Sequence, residues 1–137
     1  MTSARHRGQS MVEYAAGLTL FMLILMGVVD FGRAIWIRNT MAHAAREAAR
    51  YGAAATRTST EIRDYAIDRA TGIGLTSSNV SVTRGTCGNV DAPVVVTITY
   101  SFSPITPLIS STWGGAAIAM GTSSSMYVEQ GVPPCGA

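Results

Sequence analysis

From Gly8 to Val29 the chain reads GQSMVEYAAGLTLFMLILMGVV, a long apolar run whose only charged residue is Glu13. No residue is charged from Tyr14 to Val29, and apolar residues resume soon after this run. The run therefore reaches the roughly 20 residues that an α-helix needs to cross the hydrocarbon core of a bilayer. The sequence predicts a transmembrane segment over about residues 11–37, with Trp36 in the outer membrane interface, where tryptophan is enriched.

The composition of the 137 residues fits a chain with one membrane helix and one small domain. Hydrophobic residues make up 47% and charged residues only 13%, which is more apolar than is usual for a soluble chain of this length. The formal net charge is +2 and the arginines are scattered, so nucleic acid is not predicted as a partner. The part outside the helix is large enough for a thin core, but not for an enzyme with a deep cleft.

Three interpretations of the N-terminal segment are open at this point. A cleavable secretory signal is disfavoured because the apolar run is long and leads into Asp30 and Phe31 without a small-x-small cleavage site. A signal anchor that stays uncut is the plain alternative. The third interpretation depends on Glu13, because an acid inside an apolar segment is costly to ionise and by default indicates a function.

Three motifs resemble a known family. The segment Gly8–Tyr14 follows a basic leader and looks like the class III signal of type IV pilins. The motif DFGRAIW at residues 30–36 and the motif HAAREAARYG at residues 43–52 resemble the TadE-like family, the minor pilins or pseudopilins of tight-adherence (Flp-type) pili. The resemblance is specific over the N-terminal third of the chain and covers the rest only in outline.

The resemblance implies how the N-terminus is used. A membrane-bound prepilin peptidase would cut after Gly8 and leave Gln9 as the first residue of the mature chain. Glu13 would then neutralise the amino terminus of a neighbouring subunit, because each charge is costly to bury alone. Tyr14 completes the Glu-Tyr pair that is typical of the tight-adherence branch. The implied partners are the membrane, the prepilin peptidase, other pilin or pseudopilin subunits and the pilus assembly machinery.

The resemblance also implies a topology, with the N-terminus in the bacterial cytoplasm and the C-terminal domain outside the cytoplasmic membrane. The count of positive charges opposes it, because two arginines precede the span and four follow it closely. We expect a cleavable leader at residues 1–8, a long helix at residues 9–52 and a small extracytoplasmic domain at residues 53–137.

Apolar and small residues continue at helical spacing beyond the membrane segment. They predict a helix from Met11 to Tyr51, with Gly52 as its C-cap. The segment Ala44–Arg50 is interpreted as an assembly surface or as the wall against which this chain's own domain folds, and the two roles are compatible on opposite faces of the helix. The candidate interface residues are Ala44, Ala45, Arg46, Ala48, Ala49 and Arg50. His43 stands alone among alanines, so neither a metal site nor a cofactor is predicted there.

The remaining residues predict one more helix and a small antiparallel sheet. Ser59 or Thr60 is expected to cap a helix that runs to about Ala70. Period-2 alternation predicts strands at residues 80–83, 94–102 and 117–128, with a loop from Arg84 to Pro93 between the first two. The fold class is therefore α+β, and the resemblance implies a pilin-like arrangement with the sheet laid on the long helix.

Two cysteines, Cys87 and Cys135, lack the spacing of a metal site. In an oxidising periplasm we expect them to form a disulfide that fastens the C-terminal tail, whereas two free thiols are the alternative for a cytosolic chain.

Catalysis is not predicted, because no GxSxG, HExxH, CxxC or P-loop pattern occurs. A membrane-tethered hydrolase would need an acid–base constellation that the sequence does not offer. The other alternative to a pilus subunit is an unprocessed membrane anchor whose Arg84–Pro93 loop binds an extracytoplasmic partner or ligand.

Overall fold

The computed structural model describes residues 3–54, 56–84, 93–106 and 114–128, with side chains from residue 8 onward. Two helices, α1 (Ser3–Ala53) and α2 (Ser59–Arg69), are followed by a short 3₁₀ turn at Ser77–Asn79. The strands are β1 (Val80–Thr83), β2 (Pro93–Phe102) and β3 (Ile118–Tyr127). The predicted α+β class, with a long N-terminal helix and a small antiparallel sheet, is confirmed.

The chain divides into two compact units. The first consists of Met1–Ala34 and Ser103–Ala117, so it combines the apolar part of α1 with the segment that follows β2. The second consists of Ile35–Phe102 and Ile118–Ala137 and contains the rest of α1, α2 and the sheet.

The sheet of the second unit has the order β1-β2-β3 and is antiparallel throughout. Its register places Val82 opposite Val96 and Ile98 opposite Thr122. Because side chains alternate between the two faces of a strand, one face of β2 is apolar and enters the core. The buried side chains on that face are Val94, Val96, Ile98 and Phe102.

The core of the second unit is built from small residues of α1. Alanines of α1 are buried beside Ile37 and Met41, and α2 contributes Ile62 and Ala66. Small side chains let backbones approach closely, and Gly52 shows how closely. A Cβ added there would lie 2.6 Å from Cδ1 of Ile62 and 3.1 Å from Cγ1 of Val94. The predicted C-cap role of Gly52 is therefore wrong, because Gly52 is a buried helical residue and α1 continues to Ala53.

The N-terminus of α2 is fixed by a capping box. The hydroxyl of Thr58 accepts a hydrogen bond from the backbone N–H of Glu61 (3.2 Å), and the carboxylate of Glu61 accepts one from the N–H of Thr58 (2.7 Å). The predicted caps Ser59 and Thr60 are wrong by one and two residues. The N-cap is Thr58, because Thr58 and Glu61 satisfy each other's free backbone N–H groups. The helix ends at Arg69, and Gly72 and Gly74 follow with positive φ angles.

Candidate membrane and assembly site

The first unit presents a large apolar surface that its own chain leaves uncovered. In the described part of the chain, α1 is the one helix long and apolar enough to cross a membrane. None of the residues in its most apolar stretch is buried by the rest of the chain. Side chains that are at least 45% exposed occur along the whole run from Met11 to Val29: Met11, Val12, Tyr14, Leu18, Leu20, Phe21, Met22, Ile24, Leu25, Met26, Val28 and Val29. A continuous apolar surface of this length requires a non-aqueous partner, either lipid or other apolar helices.

The residues predicted for processing and assembly lie at the N-terminal end of this surface. Gly8, Gln9, Glu13 and Tyr14 are all exposed residues of α1. Gln9 and Glu13 are one helical turn apart, so they lie on the same face of the helix. Nothing lies within 4 Å of a Cβ placed at Gly8. These residues are therefore accessible, and their predicted roles stay predictions.

A second acid, Asp30, ends the apolar run and behaves differently from Glu13. Its side chain is only 4% exposed. One carboxylate oxygen, Oδ1, accepts a hydrogen bond from the N–H of Ile105 at 3.0 Å. The other, Oδ2, accepts bonds from the N–H of Thr106 at 2.8 Å and from its Oγ1 at 2.6 Å. Three donors thus satisfy the buried carboxylate, as burial of a charge demands.

A neighbouring contact strengthens this attachment. Nη1 of Arg33, one turn further along α1, donates a hydrogen bond to the carbonyl oxygen of Ser103 at 3.2 Å. Residues 103–106 are therefore held on a single turn of α1 by Asp30 and Arg33. Sequence reasoning missed this role of Asp30, although the signal that singled out Glu13, a lone acid beside an apolar run, was present for Asp30 as well.

The predicted interface helix separates into two faces. Ala44, Ala45, Ala48 and Ala49 are each 0% exposed within the chain's own core. These alanines thus form the wall of the chain's own domain, which was one of the two alternatives. Arg46 is exposed and lines an open depression of about 450 Å³ together with Asn39, Thr40, Ala42, His43 and Arg69. Arg50 is exposed as well, so an assembly role remains a prediction for the two arginines.

Residues 8–50 match the family model of TadE-like proteins. The TadE-like match covers less than a third of the chain. It begins at Gly8 and includes Glu13, Asp30 and four buried alanines of α1, Ala44, Ala45, Ala48 and Ala49. No curated protein and no solved structure matches the chain. The TadE-like proteins are a structural, pilus-associated family, and together with the apolar helix this match fits a membrane protein related to the Tad pilus.

The sheet lies outside the TadE-like match. Of the predicted binding loop Arg84–Pro93, the structure describes only the two end residues, Arg84 and Pro93. Nη2 of Arg84 donates a hydrogen bond to the carbonyl oxygen of Gly52 at 3.2 Å. Partial burial lowers the pKa of the Arg84 guanidinium, although it remains protonated at neutral pH. Arg84 thus holds the end of β1 against α1. Cys87 and Cys135 lie outside the described residues, so their disulfide stays a prediction.

Proposed function

We propose that this chain is a minor pilin or pseudopilin of a tight-adherence pilus, inserted in the bacterial cytoplasmic membrane and recruited into the pilus or its assembly complex. The observation that carries the proposal is the uncovered apolar surface of α1 in a segment that matches TadE-like proteins from Gly8 onward. A helix of this kind can be solvated by lipid before assembly and by neighbouring subunit helices afterwards. The domain at residues 53–137 would then lie on the extracytoplasmic side, with the N-terminus in the cytoplasm.

The contacts of α1 favour a membrane-spanning part that is shorter than residues 11–37. Asp30 is already engaged by backbone donors, and Ile37 is 2% exposed inside the second unit. A span that ends near Val29 leaves about 20 residues from Gly8, which matches the thickness of a bilayer core. We therefore place the outer end of the span at Val29.

Processing after Gly8 is the second part of the proposal. Gly8 lies within α1, so a peptidase that reads an extended backbone would have to unwind the first turns of the helix. Glycine lowers the cost of this unwinding, because it is about 1 kcal/mol less favourable than alanine in a helix interior. The position of Gly8 within the first two turns of α1 favours cleavage there.

Glu13 is the third part of the proposal. Its side chain is exposed on the isolated chain, yet it would enter an apolar environment on insertion or assembly. The new amino group of Gln9 in a neighbouring subunit is a cation of the right kind, and pairing the two removes two unfavourable buried charges at once. The pair would set the axial register between adjacent helices.

Intact-mass measurement with N-terminal sequencing tests the proposal on protein recovered from its native membrane and from sheared surface material. We expect a chain that begins at Gln9. A Gly8→Val variant should stay unprocessed because its branched side chain hinders the peptidase, while Gly17→Ala, a matched glycine change inside α1 with no neighbour within 4 Å, should be processed normally. A native chain that still begins at Met1 would identify a plain membrane anchor instead.

A further inference from the structure

The segment after β2 combines an exposed apolar side chain with backbone N–H groups that are all paired or absent. The side chain of Ile105 is 64% exposed, whereas its N–H is bonded to Asp30. The next residue, Thr106, is 2% exposed, and both its N–H and its hydroxyl donate to the same carboxylate. Pro104 has no N–H to satisfy. Every backbone donor from residue 104 to residue 106 is therefore either paired or absent.

That combination is what a non-helical segment needs in order to touch hydrocarbon. Unpaired backbone donors are costly in lipid, so irregular backbone is normally kept out of it. Here the donors are satisfied by Asp30, which directly follows the apolar run of α1. The carboxylate also fixes the position of the segment, because one residue of the helix accepts all three hydrogen bonds.

We propose that Ile105 inserts into the outer interface of the bilayer and provides a second membrane contact beside α1. This inference rests on the proposed insertion of the apolar run, because only then does Asp30 lie at the membrane surface. Within the first unit, the exposed apolar surface continues past the run with Phe31, which is 68% exposed on the same turn as Asp30. Ile105 adds an exposed apolar side chain on the segment that Asp30 attaches to the helix.

In this arrangement Asp30 is a positioning residue. It does not contact lipid itself, since its side chain is 4% exposed and fully engaged. It supplies the hydrogen bonds that let an apolar segment lie at the boundary between headgroups and acyl chains. The contact would hold the first unit at a defined depth, in addition to the anchoring that the helix provides.

Tryptophan scanning of the full chain in vesicles of phosphatidylcholine and phosphatidylglycerol tests the inference. In a Trp36→Phe, Trp113→Phe background, three single variants are compared: Ile105→Trp, Leu20→Trp as the reference for the span, and Thr60→Trp as the reference for an exposed site on α2. Quenching by iodide in water is measured beside quenching by lipids brominated either near the headgroup or deep in the acyl chain.

We expect deep bromine to quench Leu20→Trp and iodide to quench Thr60→Trp. Ile105→Trp should be quenched best by bromine near the headgroup, and its iodide quenching constant should be several-fold lower than that of Thr60→Trp. Adding Asp30→Ala should raise that constant towards the value of Thr60→Trp, whereas adding the exposed-site change Asp64→Ala should leave it unchanged. Thr106→Val, which removes one of the three bonds, should give an intermediate value.

The outcomes separate the inference from the proposed function. If Leu20→Trp is not quenched by lipid, the proposed insertion fails and the inference fails with it. If Leu20→Trp inserts but Ile105→Trp responds only to iodide, insertion stands and the lipid contact is overturned. Protection of Ile105→Trp from both quenchers would also overturn it, because the side chain would then be covered by protein.

Discussion

At the scale of single residues, the two acids of α1 illustrate how position decides what a carboxylate does. Glu13 is exposed and lies inside the apolar run, so it needs a partner from another molecule once that run leaves water. Asp30 lies at the end of the run and finds its donors in the same chain, 75 and 76 residues further on. Glu13 is thus accessible to another molecule, whereas the carboxylate of Asp30 is already occupied by hydrogen bonds within the chain.

Removal of the Asp30 carboxylate should release the segment that it holds. In Asp30→Ala the N–H groups of Ile105 and Thr106 lose their acceptor, and leaving the buried N–H of Thr106 unpaired should cost about 1–3 kcal/mol. Hydrogen exchange of these two amides in the full chain should become markedly faster. Thr106→Val removes only the hydroxyl bond and should cost about 1 kcal/mol. Equal exchange rates in Asp30→Ala and the exposed-site control Asp64→Ala would contradict the attachment.

Among the glycines that the structure describes, Gly52 has the least room for an added methyl group. Alanine favours a helix more than glycine does, but a methyl group there meets Cδ1 of Ile62 at 2.6 Å and Cγ1 of Val94 at 3.1 Å. We expect Gly52→Ala to destabilise the chain by about 1–3 kcal/mol through overpacking. Gly32→Ala is the control, since it lies in the same helix with nothing within 4 Å and should be neutral or slightly stabilising. Chemical unfolding in mild detergent measures both, and equal stabilities would contradict the close approach.

At the scale of elements, the N-terminus of α2 depends on the pair Thr58 and Glu61. Thr58→Ala removes the hydroxyl that accepts the N–H of Glu61, and loss of an N-cap typically costs about 1 kcal/mol. The full chain should therefore unfold at a lower denaturant concentration. Thr60→Ala, an exposed threonine in the first turn of the same helix, should change stability by no more than about 0.5 kcal/mol. Similar losses in both variants would show that helix propensity, not capping, decides the stability of α2.

The same capping box has a pH dependence. The backbone N–H and then the hydroxyl of Thr58 bond to the carboxylate and lower the pKa of Glu61 below its ordinary value of 4.5. A carboxyl whose pKa is lower in the folded state stabilises the fold above its unfolded pKa and loses that contribution as the pH falls through its folded pKa. The stability difference between the wild type and Glu61→Gln should therefore be constant near neutral pH and shrink below about pH 4.5. A difference that does not depend on pH would contradict an ionised cap.

Elements whose pattern is local could be predicted from the sequence. The alternation along β2 and the apolar spacing of α1 and α2 are properties of neighbouring residues, and the corresponding strands and helices are present. The capping box could also have been read, because Thr58-Ser59-Thr60-Glu61 carries its S/T-x-x-E pattern. Gly52 packs against Val94, 42 positions away, and Thr106 donates hydrogen bonds to Asp30, 76 positions away, so no local pattern reports these contacts.

At the scale of the whole molecule, the chain combines an apolar helical surface that is uncovered with a domain whose core fully buries four alanines of α1. Ala44, Ala45, Ala48 and Ala49 are therefore not available for contacts with another molecule. Under the proposed assembly, contacts with other subunits would instead use the uncovered helix and exposed polar groups such as Arg46 and Arg50. If the apolar helix is the assembly surface, as proposed, the single acid within it should be decisive.

Glu13→Ala tests that consequence in the living cell. The substitution makes the span more apolar, so membrane insertion should remain intact and the variant should be recovered from the membrane fraction in normal amounts. Its recovery in sheared pili should fall strongly, because the amino terminus of the neighbouring subunit would be buried without a counter-ion. Glu13→Asp keeps the charge on a shorter side chain and should retain part of the incorporation. Glu47→Ala removes an acid from the part of α1 that belongs to the second unit and should retain full incorporation. Normal incorporation of Glu13→Ala would remove the acid from assembly and leave the apolar surface alone to bring the subunits together.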